Sequence, residues 1–326
     1  MKVLVTGATG FTGAHLARHL LAAGDDVRVL VRDAARLPED LVARVEVVEG
    51  DITDGDDRRT AVAGVQVVYN IAALYREAGL PTTAYRAVNA LAVGGLIEEA
   101  AAAGVARVVH CSTVGVHGDI EHPPAGEDAP IAPGDVYQET KVEGERIARE
   151  TAARTGMDVV IARPTGIYGP GDRRLFKMFG QIARGRFVML GPGRNYYHLT
   201  YVTDLCEGFR LCGTVPAAAG RTYILGGGEV TTLAEVVRLT GEIAGRSTGP
   251  VRIPLWPVWL AGAACEIICA PFGLEPPIYR RRVDFFRKSR AFDISRARAE
   301  LGYAPEVGLR EGIGRTLEWY REHGWI

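Results

Sequence analysis

Short apolar runs rich in β-branched residues alternate with longer amphipathic stretches through the first half of the chain. The runs lie at Lys2–Thr6, Val27–Val31, Val45–Glu49, Val65–Asn70, Ala106–Cys111 and Asp158–Ala162. Unbroken hydrophobicity in runs this short predicts strands covered on both faces, as in a parallel sheet. Helical patterns fall between them at His15–Ala23, closed by Gly24, and at Ala87–Ala103 and Tyr137–Arg154. Strand and helix in alternation imply right-handed crossovers, with ligands at the carboxyl ends of the strands. Beyond Ile167 the pattern loosens. A Pro/Gly-rich loop at Gly169–Asp172 opens a set of irregular segments. Val202–Leu211 and Thr222–Leu225 are expected to return to the sheet, and Thr231–Gly245 reads as a capped helix. The expected division is a first domain over 1–167, rejoined by 200–230, and a smaller lobe over 168–199 and 231–326.

Between the first strand and the first helix stands Gly7-Ala-Thr-Gly10-Phe-Thr-Gly13. In a strand, turn, helix, strand context this spacing is a dinucleotide-binding signature. Gly7 permits the tight turn, Gly10 lets the backbone approach a pyrophosphate, and Gly13 lets the helix pack on the strand. The helix N-terminus then offers free N–H groups and a positive dipole end to phosphate. Gly7, Thr9, Gly10, Phe11, Thr12 and Gly13 are therefore the first candidate cofactor residues.

Of the twelve tyrosines, only Tyr137 has a lysine four positions on, in Tyr137-Gln-Glu-Thr-Lys141. On a helix that spacing puts both side chains on one face, a turn apart. A phenol ionises near pH 10 when unperturbed, and an ammonium nearby favours its phenolate, which suits acid–base chemistry at neutral pH. The motif alone recurs by chance; the glycine turn upstream is what gives it meaning.

Composition narrows the classes. A chain of 326 residues with 47% hydrophobic content builds one large core and a smaller one. A net charge of −1 argues against bulk electrostatic binding to nucleic acid. The five cysteines form no C-x-x-C pair, which fits a reducing, cytoplasmic setting rather than a disulfide scaffold. The chain opens on a strand, so no signal peptide is expected. The seven histidines make no metal-binding spacing, and no metal is expected.

GATGFTG, Gly50-Asp51-Ile52, Cys111-Ser112-Thr113, YQETK and Arg163-Pro164-Thr165-Gly166-Ile167-Tyr168-Gly169-Pro170 occur in an order and spacing that resemble the extended short-chain dehydrogenase/reductase family. Its steroid dehydrogenase and dihydroflavonol reductase branch is the nearest likeness. The resemblance implies an α/β fold: a Rossmann-type doubly wound parallel sheet with a smaller C-terminal α+β substrate lobe. It implies that Tyr137 is the acid/base and that Lys141 binds the nicotinamide ribose while tuning the tyrosine. Thr113 takes the place of the hydroxyl that positions the substrate oxygen, with help from Ser112; the plainer alternative for Thr113 is a strand-end hydroxyl capping a helix. Asp51 and Ile52 are expected at the adenine, Ala72 and Ala73 along the cofactor cleft, and Pro164 and Thr165 beside the nicotinamide amide. Asn89 is expected to support the site from the next helix. A homodimer is also implied.

The end of the second strand bears on the cofactor's phosphate state. An NAD enzyme usually has a carboxylate there, for the ribose 2′-hydroxyl. Here that position holds Val31, followed by Arg32 and then Asp33. A guanidinium suits a 2′-phosphate, so NADP is expected over NAD. Relatives acting on nucleotide sugars have an Asn where this chain has Gly166, and a phosphate-gripping Arg where it has Tyr197. Both departures point away from a nucleotide sugar and toward a secondary alcohol or ketone on an apolar or mixed small molecule. The alternative is an epimerase or dehydratase with tightly held NAD. Leu255–Leu274 is the most apolar stretch and is read first as a core or pocket-lining helix, with Trp256, Trp259 and Leu260 as a pocket wall. A peripheral membrane contact or a subunit interface is the alternative, and a transmembrane span is disfavoured by Glu266, Pro257 and Pro271. Tyr279–Arg290, with six basic residues and one acid, is either a solvated basic segment or an anion site.

Overall fold

The expected runs become β1 (Lys2–Thr6), β2 (Asp26–Val31), β3 (Glu46–Glu49), β4 (Val67–Asn70), β5 (Arg107–Cys111) and β6 (Val159–Pro164). The structure is a computed structural model that describes residues 1–75, 79–246, 249, 251–269, 271 and 283–326. Three further strands follow, β7 (Gly166–Tyr168), β8 (Val188–Leu190) and β9 (Tyr196–Tyr201), before β10 (Thr222–Leu225) pairs with β6. The resulting seven-stranded sheet runs β10-β6-β5-β4-β1-β2-β3 with every pair parallel. β4 and β6 are buried along their whole length, which is why their sequences show no polar alternation.

Side chains alternate between the two faces. Val3 and Val5 pack with Leu16 and Leu20 of the helix Phe11–Ala22 and with Leu205 and Phe209 of the helix Val202–Thr214. Leu4 faces the other core, with Leu96 and Ile97 of the helix Ala92–Ala102 and Ala148 of the helix Val136–Thr155. From β1 the strand order runs out in opposite directions, β2 to one side and β4 to the other. The loops leaving β1 and β4 diverge there, and the crevice between them is where an open α/β sheet binds its ligand.

A second core forms beside the strand ends. β9 pairs with β7 and with β11 (Val230–Thr232), while β8 pairs with β12 (Val251–Ile253). Tyr168, Phe179, Met189, Tyr201, Val236 and Ile313 fill the space between these strands and the helices Phe176–Ala183, Leu233–Ile243 and Leu309–Glu322. Thr232 caps the second of these helices through Glu235 N. The chain crosses back once more than its pattern suggested. Phe292, Ile294, Ala297, Leu301 and Tyr303, expected in the lobe, pack in the first core.

The apolar stretch corrects an expectation. Leu255–Cys269 is a helix, but Gly262 is its only buried residue, and Trp256 is 67% exposed. Trp256, Trp259 and Leu260 are not among the residues that line the cleft. Hydrophobicity on every side of a helix gives no direction, and only the packing of its neighbours decides what it faces. Residues 270 and 272–274 of that stretch, and Tyr279–Arg282 of the basic segment, lie outside the described residues. No helix among the described residues is long and apolar enough to cross a membrane.

Candidate active site

The turn after β1 closes through Gly10 N donating to Gly7 O at 3.0 Å. Gly7 adopts φ +74°, and a Cβ on Gly13 would stand 2.2 Å from Gly7 O, so helix and turn touch backbone to backbone. The helix that starts at Gly10 has no side-chain cap. Helices Gly55–Val62 and Val136–Thr155, by contrast, are capped by Asp54 and Asp135. An uncapped N-terminus opening on a cleft of about 1570 Å³ is ready for a phosphate. Thr9, Phe11, Thr12, Asp51, Ile52, Ala72, Ala73, Pro164 and Thr165 line the same cleft. Among the described residues the buried Thr165 Oγ1 has no hydrogen-bond partner.

Polarity at the cleft floor is arranged by Thr6 and Asn89. Thr6 donates to Asn70 Oδ1 at 2.8 Å and accepts from Ile71 N and Ala72 N. Asn89 accepts from Leu74 N at 2.9 Å and donates to Leu74 O and Thr140 Oγ1, stapling the loop after β4 to the helix of Tyr137. At the far end of the cleft Arg32 is exposed and Arg36 lies beside it. Asp33 is committed elsewhere: its Oδ1 accepts from Ala35 N at 3.0 Å and caps the short turn Ala34–Arg36. Asp51 receives Thr53 N and Thr53 Oγ1; burial would raise its pKa, but these bonds and the charge of Arg32 lower it.

Tyr137 and Lys141 sit in the first turns of the helix Val136–Thr155, started by Asp135 accepting from Gln138 N and ended at Gly156. Lys141 is 1% exposed, and burial pushes its ammonium below the ordinary value. Its Nζ donates to Cys111 O at 2.5 Å. The half-buried Tyr137 ring meets Tyr75 edge-on, centroids 4.8 Å apart. Thr113 lines the cleft just beyond β5. Its Oγ1 accepts from Gly115 N at 3.0 Å, capping the turn Val114–His117, and this leaves the hydroxyl proton free to be donated into the cleft. Ser112 differs: its proton goes to Glu145 Oε1 at 2.6 Å, so it braces the site rather than holding a substrate oxygen.

Glu145 was not singled out from sequence, although it lies one helical turn beyond Lys141. It is 2% exposed and accepts both Arg163 Nε at 2.8 Å and Arg163 Nη2 at 2.6 Å. Burial alone would raise its carboxyl, but the Arg163 pair outweighs this and holds it at about 2. Arg163 also donates to Glu127 O. One carboxylate thus ties together the turn at Ser112, the end of β6 before Pro164, and the helix bearing Tyr137.

Gly166 and Tyr197 form part of the opposite wall. A Cβ on Gly166 would come within 2.8 Å of Leu199 Cδ2 and 3.2 Å of His198 O, so β7 lies close on β9 and a side chain there requires Leu199 to move. Burial pushes the Tyr197 hydroxyl up to about 12, and it stays protonated. The buried His198 puts Nε2 at 2.8 Å from Gly227 O and Nδ1 at 3.4 Å from Phe292 N, the pattern of a neutral ring donating through Nε2. Arg174 is paired with Asp172 and lies over the rings of Phe11 and Tyr75. Among the described residues no group of three or more His, Cys, Asp or Glu is placed to hold a metal ion.

A parallel sheet with a dinucleotide turn at its switch point, facing a Tyr/Lys/Thr cluster, defines a nucleotide-dependent oxidoreductase of the short-chain type. The family model for the NAD dependent epimerase/dehydratase family matches residues 3–226, and the chain belongs to that family. It is 31% identical to a 3-beta-hydroxysteroid dehydrogenase of Mycolicibacterium neoaurum, over 98% of this chain and 92% of that one. A putative dihydroflavonol 4-reductase of Synechocystis is also 31% identical, over 99% and 95%. Among solved structures, DesIV, a dTDP-glucose 4,6-dehydratase of Streptomyces venezuelae with NAD and TYD bound, superposes with a TM-score of 0.78. It is 29% identical, over 100% of this chain and 98% of that one. The protein is an NAD(P)-dependent enzyme of the extended short-chain dehydrogenase/reductase class.

Proposed function

We propose that the enzyme interconverts a secondary alcohol and a ketone with net hydride transfer to or from NADP(H). Bound in the cleft, the nicotinamide would supply the hydride acceptor or donor. The chain's own residues do the rest. The glycine turn and the uncapped helix hold the pyrophosphate, Thr165 and Pro164 meet the nicotinamide amide, and Asp51 and Ile52 flank the adenine. In the oxidation direction Tyr137 Oη takes the hydroxyl proton as the carbon–hydrogen bond breaks, and it returns that proton in the reverse direction. Thr113 donates to the substrate oxygen and fixes the carbon in line. Lys141, anchored on Cys111 O, holds a positive charge on the Tyr137 face of the helix and reaches the nicotinamide ribose.

The observation that carries net redox chemistry is the wall at Gly166. A side chain there, of the kind nucleotide-sugar relatives have, needs Leu199 to turn aside and the His198 carbonyl to give by a few tenths of an ångström, so this wall is shaped for glycine. The steroid dehydrogenase and dihydroflavonol reductase likenesses support the same reading. NADP is favoured because Arg32 and Arg36 line the cleft while Asp33 spends its carboxylate on Ala35 N. The likeness to DesIV supports a second reading, transient oxidation with NAD retained. Fluorescence titration with NADPH and NADH separates the two: tighter NADPH binding is expected, and tighter NADH binding overturns the assignment.

A further inference from the structure

Of the six arginines that line the cleft, Arg18 and Arg174 pair with carboxylates among the described residues, and the other four do not. Arg18 pairs with Asp40 at 2.7 Å and Arg174 with Asp172 at 3.1 Å. Arg173 lies 5.6 Å over the Trp325 ring, and Arg32 and Arg36 stand at the end of the cleft beside Asp51. Arg290 lines the same cleft, half-buried beside Tyr197, and its guanidinium has no acceptor among the described residues. The backbone presenting it is fixed. Arg290 N donates to Tyr196 O at 2.9 Å, Tyr196 N to Ser289 Oγ at 3.2 Å, and the next two residues are buried. A partly desolvated cation without a counter-ion in a ligand cleft is incomplete.

We propose that Arg290 is an anion subsite for a carboxylate carried by the substrate, which is then an oxo or hydroxy acid on an apolar chain. This rests on the alcohol/ketone reading above. One guanidinium presents one planar fork, which matches one carboxylate through two parallel N–H···O bonds. A diphosphate calls for a second cation at the same place; Arg174 is paired with Asp172 and Arg173 lies over the Trp325 ring. The aromatic and aliphatic walls suit the chain that bears the acid.

The test is equilibrium calorimetry on full-length NADP(H)-loaded Tyr137→Phe protein, in which turnover does not interfere. The probes are 3-oxooctanoate, its methyl ester and UDP. The acid is expected to bind on the order of tenfold or more tighter than the ester, as a charge-assisted pair requires. Arg290→Gln should abolish that preference and Arg290→Lys should keep part of it, with cofactor affinity unchanged in both. Equal binding of acid and ester, absence of binding, or a preference surviving Arg290→Gln overturns the subsite. UDP binding more tightly than the acid through Arg290 replaces the carboxylate with a diphosphate. Arg290-dependent binding of the acid by wild-type protein that never turns it over instead overturns the alcohol/ketone reading alone.

Discussion

At the residue scale the site depends on where protons and charges are held. Tyr137→Phe removes the only group proposed to move a proton, and general acid–base catalysis contributes about 10²–10⁴-fold. The variant should lose that much in kcat while its cofactor Kd, measured by fluorescence, stays within error. Lys141→Met should impair both, because the ammonium has two tasks. Glu145 makes a pH prediction. Its folded pKa of about 2 lies below the ordinary 4.5, so its contribution is fully present above pH 4.5 and is lost as pH falls toward 2. Wild-type protein should therefore lose stability across that window, whereas Glu145→Gln should show a flatter acid profile. At neutral pH the variant should be less stable by about 3–5 kcal/mol, since Arg163 is left buried and uncompensated; urea denaturation measures both.

At the scale of elements, the sequence made some features plain and others invisible. The strands, the glycine turn and the helix of Tyr137 were legible because burial on both faces and fixed motif spacing leave local marks. Glu145 and Arg163 were not, since a buried ion pair joins positions far apart in sequence and neither residue alone looks unusual. The exposed helix Leu255–Cys269 was misread for a related reason: its composition says apolar, and only the folded chain shows that it stays largely exposed and outside the cleft lining. Gly166 can be tested directly. Gly166→Asn inserts a side chain where β7 meets β9, and overpacking of this kind costs about 1–3 kcal/mol. A lowered melting temperature is expected, with no gain of binding to a nucleotide sugar. Retained stability together with such a gain would mean that the wall yields.

At the scale of the whole molecule, two cores meet across one cleft, and the chain passes between them repeatedly. The first core takes back residues of Val202–Thr214, β10 and the segment Phe292–Tyr303, so the two halves are joined by several crossings of the chain. The segment Phe292–Tyr303 contributes its apolar residues to a core built mostly by distant sequence, which periodicity along the chain does not mark. Cofactor choice belongs to the far end of this cleft. Arg32→Ala should weaken NADPH on the order of tenfold and leave NADH nearly unchanged, as loss of one charge-assisted contact to a 2′-phosphate requires. The central claim is net hydride transfer, and the most direct measurement is the amount of NADPH consumed for each molecule of alcohol formed from a ketone substrate, followed by the absorbance of the reduced nicotinamide alongside product analysis. One NADPH per alcohol, abolished in Tyr137→Phe, is the predicted result; product formed while the cofactor returns to its starting state would contradict it.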